Sequence, residues 1–326
     1  MENLPEKFVE RLKRLYTKED LEQILIAIQT KPLPSFRTNT LKTTTEELKK
    51  NLEKKGFICE QVEWYEDAFI LTNKSVRELT ETDEYKNGEI YIQNLSSMIP
   101  TLVLDPKPEE KVLDLCAAPG SKTTQIAALM NNHGEIIAND LSRQRLYKLK
   151  TNLETYGVTN ARISNLAGQT IWKHYPEYFD KTLVDVPCSM EGRIRLDDPE
   201  SYKDWKLGKI KALERTQQYL LRSAISATKI GGTIIYSTCT LSPEENEGVI
   251  DWILKKCANE IEVEKVEITD LPLQPGITQW NKTFNAAVSL TFRINPSAQM
   301  EGFFVTKIKK VKSTLDSEHF TDKHTD

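Results

Sequence analysis

Two cysteines close two separate runs of strand-forming residues, Cys188 in Asp185-Val186-Pro187-Cys188 and Cys239 in Ser237-Thr238-Cys239-Thr240. A thiolate at such a strand end can add to a ring carbon and later leave it, which is nucleophilic catalysis. Upstream, Val112-Leu113-Asp114-Leu115-Cys116-Ala117-Ala118-Pro119-Gly120-Ser121-Lys122 reads as a buried strand, a tight loop and a helix start. Gly120 lets backbone approach a ligand, Pro119 fixes the turn, and the free N–H groups of the following helix suit an anionic group. A second strand ends in Asn139-Asp140, where a carboxylate can accept from two ribose hydroxyls. A nucleotide-like cofactor opposite a cysteine nucleophile points to S-adenosylmethionine-dependent methylation of cytosine at carbon 5. The loop is not the dinucleotide fingerprint, because it has one glycine, and the G-x-x-x-x-G-K-[ST] phosphate loop is absent.

The competing reading is packing. Free cysteine is most often a small buried hydrophobe. From residue type alone, that reading and the catalytic one stand level for Cys188 and Cys239. It is the expectation for the thiols of Cys59, Cys116 and Cys257, which lie in apolar patterns or at a buried strand end.

The elements that must position these residues follow from periodicity. Residues 1–92 read as a small α/β module. Thr17-x-x-Asp20 and Thr44-x-x-Glu47 open helices, Ser35–Thr40, Phe57–Trp64 and Ala68–Thr72 are strands, Ser75–Glu84 is a helix and Ile90–Gln93 a closing strand. That order is what a split βαβ, ferredoxin-like (RRM-like) module needs. Residues 93–312 alternate strands and helices, the sign of a parallel doubly wound sheet. Strands are expected at Lys111–Leu115, Glu135–Asn139, Ala161–Ser164, Thr182–Asp185 and Gly232–Ser237. Helices are expected at Lys122–Met130, Ser142–Tyr156, Lys206–Lys229 and Pro243–Lys255, the last with a capping box from Ser242 to Glu245. Residues 313–326 read as a polar, disordered tail. In open α/β sheets ligands sit at the carboxyl ends of the strands, where all the motifs fall.

Composition sets outer limits. The chain has 326 residues, a formal net charge of −4, 39% hydrophobic and 28% charged residues, which is ordinary for a globular protein of about two domains. No apolar run or leader is visible, so no membrane association and a cytoplasmic location are expected. Five cysteines without a Cys-x-x-Cys pair, and four scattered histidines, argue against disulfides and against a metal site. The net charge does not advertise nucleic-acid binding, so any phosphate contact must be local. Lys203, Lys206, Lys209 and Lys211 form one basic run, read as a solvated face.

Over nearly its whole length the chain resembles the NSUN/Fmu (Sun-domain) family of RNA cytosine-5 methyltransferases. The resemblance rests on Phe36-Arg37-Thr38-Asn39-Thr40-Leu41-Lys42, Tyr91-Ile92-Gln93-Asn94-Leu95-Ser96-Ser97-Met98, Cys116–Lys122, Asp185–Ser189, Ser237–Thr240 with Glu244-Glu245-Asn246, and Glu301-Gly302-Phe303-Phe304, in the family's order. It implies a ferredoxin-like N-terminal RNA-binding domain followed by a Rossmann-like methyltransferase domain. It places S-adenosylmethionine on Cys116, Ala117, Ala118, Pro119, Gly120, Ser121, Lys122, Asp140 and Asp185. Cys239 is then the nucleophile, Cys188 serves the elimination that frees the product, and Asp185 holds the base. Arg37, Asn39 and Lys42 are candidate RNA contacts. The chain departs from the family at Ala167, which stands where an adenine-side aspartate is usual. It departs again at Ser189-Met190-Glu191-Gly192-Arg193 after Cys188.

The rival readings are a DNA or small-molecule methyltransferase, in which the Pro-Cys thiol would be the nucleophile, and a non-catalytic RNA-binding assembly factor. No appended module of the kind that reads a tRNA end is visible, so ribosomal RNA is expected over tRNA, with the protein acting as a monomer.

Overall fold

The structure, a computed structural model, describes residues 4–271 and 273–315. Two helices lead, α1 (Glu6–Leu15) and α2 (Lys18–Gln29), followed by β1 (Ser35–Thr38), α3 (Thr45–Lys54), β2 (Cys59–Val62), β3 (Tyr65–Leu71), α4 (Val76–Thr80), α5 (Asp83–Lys86) and β4 (Ile90–Ile92). The four strands pair antiparallel in the order β2-β3-β1-β4, which is ferredoxin-like topology. Phe36 and Phe69 face each other across β1 and β3, stacked at 5.4 Å, with Leu48, Leu52 and Leu79 closing the small core. Thr17 and Thr44 cap their helices as the sequence predicts. The expected single helix over 75–84 splits, because Thr82 accepts from Tyr85 N and starts a new turn.

The second unit comprises α6 (Leu95–Leu104), β5 (Lys111–Asp114), α7 (Ser121–Leu129), β6 (Glu135–Asn139), α8 (Arg143–Thr155), β7 (Ala161–Ser164), β8 (Phe179–Asp185), α9 (Leu207–Ala227), β9 (Thr228–Thr238), α10 (Glu247–Lys256), β10 (Ile261–Glu264), β11 (Gln274–Pro275), β12 (Phe292–Ile294) and β13 (Phe303–Lys310). The sheet order is β11-β12-β13-β9-β8-β5-β6-β7, with β10 on β13. The five strands from β9 to β7 are parallel, and the inner four bury both faces, Leu113, Ile137, Val184 and Ile234 on one and Val112, Ile136, Leu183 and Ile235 on the other. The chain order reverses at β5, which pairs with both β6 and β8, and a crevice opens at their carboxyl ends. Among the described residues no helix is long and apolar enough to cross a membrane.

Other elements also differ from expectation. Helix α1 was not anticipated; with α2 it packs Phe8, Leu12, Ile24 and Ile28 on Ile194, Tyr202 and Leu241 of the second unit, away from the small sheet. Helix α10 starts at Glu247, four residues late, because Glu245 turns inward to other partners and no capping box forms with Ser242. The expected tail lies outside the described residues from 316 onward, while Thr314 is buried and meets Ser226 Oγ at 3.0 Å.

Candidate active site

Two adjoining cavities occupy the crevice. The first, about 220 Å³, is lined by Cys116, Asn139, Asp140, Leu141, Gly168, Gln169, Pro187 and Leu220. Asp140, only 4% exposed, accepts from Ala118 N at 3.2 Å and Ser142 N at 2.9 Å, and pairs with Arg145 at 3.1 Å. Oδ1, with a single partner, keeps a lone pair that a ribose hydroxyl could use. Asn139 ties the strand ends together, donating to Leu115 O and Leu166 O and accepting from Leu166 N. Gly120 has φ +109°, and a Cβ there would lie 2.9 Å from Leu149 Cδ1, so the loop requires glycine. The buried Asp114 carboxyl, pushed up to about 7 by burial, accepts from Thr123 Oγ1 at 2.7 Å and pins α7 to β5. Acceptors for a ribose, apolar walls for a purine and a helix head for a carboxylate fit S-adenosylmethionine.

The second cavity, about 340 Å³, lies between the small sheet and the second unit and is lined by Asn94, Ser97, Pro119, Lys122, Asp185, Arg193, Cys239 and Glu301. Arg145 borders both cavities. Lys122 Nζ lies 2.7 Å from Asp185 Oδ2 and 2.8 Å from Ser97 Oγ, and Ser237 Oγ donates to Asp185 Oδ1 at 2.8 Å. That network fixes the Asp185 carboxylate facing the cleft.

Cys188 lies three residues past the end of β8 and Cys239 directly follows β9, with their sulfurs 3.4 Å apart. The contact with Cys239, added to burial, raises the Cys188 thiol well above its usual range. Cys188 is the buried partner of the pair, and Cys239 is the sulfur that lines the cleft. Gly192 N–H donates to Cys239 O at 3.0 Å, and a Cβ at Gly192 would lie 2.1 Å from Gly302 O, so the loop after Cys188 packs directly under the second cysteine. The other three thiols are inert by contrast. Burial pushes Cys59 up to about 11, Cys257 up to about 12 and Cys116 higher still.

Arg37 and Asn39 are not RNA contacts in this structure. Both are 1% exposed. Arg37 donates to Gln93 Oε1 at 3.0 Å, Ser121 O at 3.1 Å and Thr124 Oγ1 at 2.8 Å, with its guanidinium 4.8 Å over the Tyr91 ring. Asn39 donates to Gly88 O and Tyr156 O. Both residues lock the small sheet to the second unit, and their burial keeps them from a phosphate on the surface. Lys42 is exposed and stays available. Ala167 is exposed and outside the lining of the first cavity; Gly168 and Gln169 occupy its wall instead. Ser97, Asn139, Arg145 and Gln169 were missed by sequence reasoning. Only Asn139, the polar residue beside a strand-end aspartate, carried a readable signal.

A family model described as 16S rRNA methyltransferase RsmB/F matches residues 101–309, and one for the N-terminal domain of 16S rRNA methyltransferase RsmF matches 4–95. A tRNA (cytosine(49)-C(5))-methyltransferase of Pyrococcus abyssi is 40% identical over 93% of this chain and 96% of its own length. A ribosomal RNA small subunit methyltransferase F of Vibrio parahaemolyticus is 37% identical over 94% of this chain, which spans only 63% of that relative. The structure of NSun6 from Pyrococcus horikoshii, solved with SFG, superposes with a TM-score of 0.81 at 25% identity, covering 96% of this chain and all of that one. Similarity that runs through both units and almost the whole of one relative shows that this chain belongs to the RsmB/F methyltransferase family.

Proposed function

We propose that the protein is an S-adenosylmethionine-dependent RNA methyltransferase that forms 5-methylcytosine through a covalent cysteine–cytosine intermediate. The observation that carries this reading is the pair of sulfurs 3.4 Å apart at the cleft, one buried and one open to substrate. S-adenosylmethionine, when bound in the first cavity by the Cys116–Lys122 loop and Asp140, supplies an electrophilic methyl group. A flipped-out cytosine enters the second cavity, where Asp185 takes its amino edge. The Cys239 thiolate adds to carbon 6, which places electron density on carbon 5 and on the N3 side of the ring. Lys122, 2.7 Å from Asp185, supplies the positive charge that balances it. Once carbon 5 has gained the methyl group, a water in the cleft takes its remaining proton, the electron pair of that bond restores the carbon 5–carbon 6 double bond, and Cys239 leaves as thiolate as the carbon–sulfur bond breaks. Cys188, in contact with that sulfur, serves this release.

Lys42 is the RNA contact we retain at the N-terminal module. Ribosomal RNA is the first reading of the substrate, because the family models matching both units are of 16S rRNA enzymes. The second is tRNA, favoured by the relative whose length this chain matches almost completely. All five cysteines are free, which suits action on RNA in the cytoplasm. Incubation with tritiated S-adenosylmethionine and total RNA, then DNA, is the direct test. Label confined to cytosines of small-subunit rRNA supports the first reading, and label in tRNA the second. Label in DNA alone contradicts both.

A further inference from the structure

Glu245 does not cap α10 as its sequence context suggests, and the place it goes instead has a clear logic. Its Oε2 accepts from Ser189 N at 2.9 Å and from Gln217 Nε2 at 2.8 Å. The same Gln217 nitrogen donates to Pro187 O at 2.9 Å. Pro187 and Ser189 flank Cys188, so Glu245 and Gln217 grip the backbone on both sides of that thiol. Both are fully buried.

The proton count in this clamp is constrained. A flipped Gln217 amide would set its oxygen against Pro187 O and Glu245 Oε2, two acceptors, so its nitrogen must face them. Gln217 Oε1 is then buried without a donor, and Glu245 Oε1 is buried without a partner. Two orphan acceptors in one buried clamp are unfavourable. One proton on Glu245 turns an acceptor into a donor. We propose that Glu245 works as a neutral carboxylic acid and, with Gln217, is a positioning residue that holds the Cys188 thiol against Cys239 for the release step. This rests on Cys188 serving release.

The surroundings agree. Glu191, in the loop after Cys188, is a second buried carboxyl facing Glu245. Arg11 of α1 is the cation nearby, but it pairs with Glu244 at 2.6 Å. Tyr236 of β9 donates to Glu245 O at 2.5 Å, and Glu214 of α9 and the Cys188 thiol face the same interior. Burial without a cation of its own pushes the Glu245 carboxyl up to about 7.

Two variants of the full chain test this. In Glu245→Ala, a single round of methyl transfer should persist while protein–RNA adduct accumulates on denaturing gels, as in Cys188→Ala. Glu245→Gln, an isostere of the neutral acid, should restore release. It should also lack the loss expected of the wild-type protein, whose neutral fraction should fall about fivefold between pH 7 and 8. The proposal is overturned if Glu245→Gln traps adduct as Glu245→Ala does, or if the release ratio of Glu245→Gln to wild type is flat across pH 6–8.5. Failure of the underlying reading shows separately, as a Cys188→Ala protein that releases its RNA normally.

Discussion

Arg37→Met separates an RNA contact from a structural lock. The guanidinium satisfies three buried acceptors, one on Gln93 of the small module's last strand and two on Ser121 and Thr124 of α7. Methionine fills similar volume but removes the donor from Gln93 Oε1 and Thr124 Oγ1, while Ser121 O keeps Thr124 Oγ1 at 3.0 Å. Each hydrogen bond from a charged donor contributes about 1.5–3 kcal/mol, and the sum is not additive. Burial already opposes the charge and lowers the arginine pKa, which reduces the net gain further. The variant should therefore lose about 3–5 kcal/mol of stability, in the range seen when a buried charged network is broken. In a protein of this size that is a drop in Tm of roughly 5–10 °C. Cofactor affinity should fall with it, because Ser121 is the first residue of α7, directly after the cofactor loop. Thermal unfolding gives the first number and calorimetry the second. RNA affinity measured against salt on the folded variant should keep its slope. A variant that melts like wild type yet shows a flatter slope would refute the lock and restore Arg37 as a phosphate contact.

Asp140→Ala should weaken S-adenosylmethionine binding roughly ten- to a hundredfold by removing a charged acceptor of about 1.5–3 kcal/mol, read by calorimetry. Lys42→Ala should flatten the salt dependence of RNA binding by somewhat under one unit, with cofactor affinity and melting unchanged. Glu245→Gln should stabilise the protein increasingly as pH rises. The native carboxyl, pushed up from 4.5 to about 7, binds its proton more tightly than the unfolded chain does, so wild-type stability falls through that window while the variant's does not. The gap should reach about 2–3 kcal/mol above pH 7 and close below pH 4.5, in urea titrations across pH.

The parallel sheet was legible because its strands are long apolar runs ending in polar motifs, and Glu135–Asn139 and Ala161–Ser164 fall where the pattern puts them. The cysteine pair and the cofactor loop were legible for the same reason, since chemistry-bearing residues at strand ends converge on one edge. What was not legible is tertiary. Arg37-Thr38-Asn39 has the same chemistry whether it faces a phosphate or a carbonyl, and only the seam between the two units decides. Ser242-Pro243-Glu244-Glu245 is a local helix start that long-range partners override, since Gln217 lies 28 residues away in mid-helix without any signal of its own. Helix α1 carries Phe8 and Leu12 at helical spacing among many charges, and its docking on Leu241 depends on a surface that only the folded sheet provides.

The two cysteines test the central claim most directly. Cys239→Ala and Cys188→Ala, each incubated with S-adenosylmethionine and substrate RNA, are run on denaturing gels and scored for methyl transfer. Cys239→Ala should neither methylate nor form an adduct, because no thiolate reaches carbon 6. Cys188→Ala should transfer the methyl group once and accumulate a protein–RNA species that survives denaturation. Trapping by Cys239→Ala with no adduct from Cys188→Ala would reverse the roles, and full turnover by both would make the 3.4 Å sulfur pair a packing contact and the mechanism wrong.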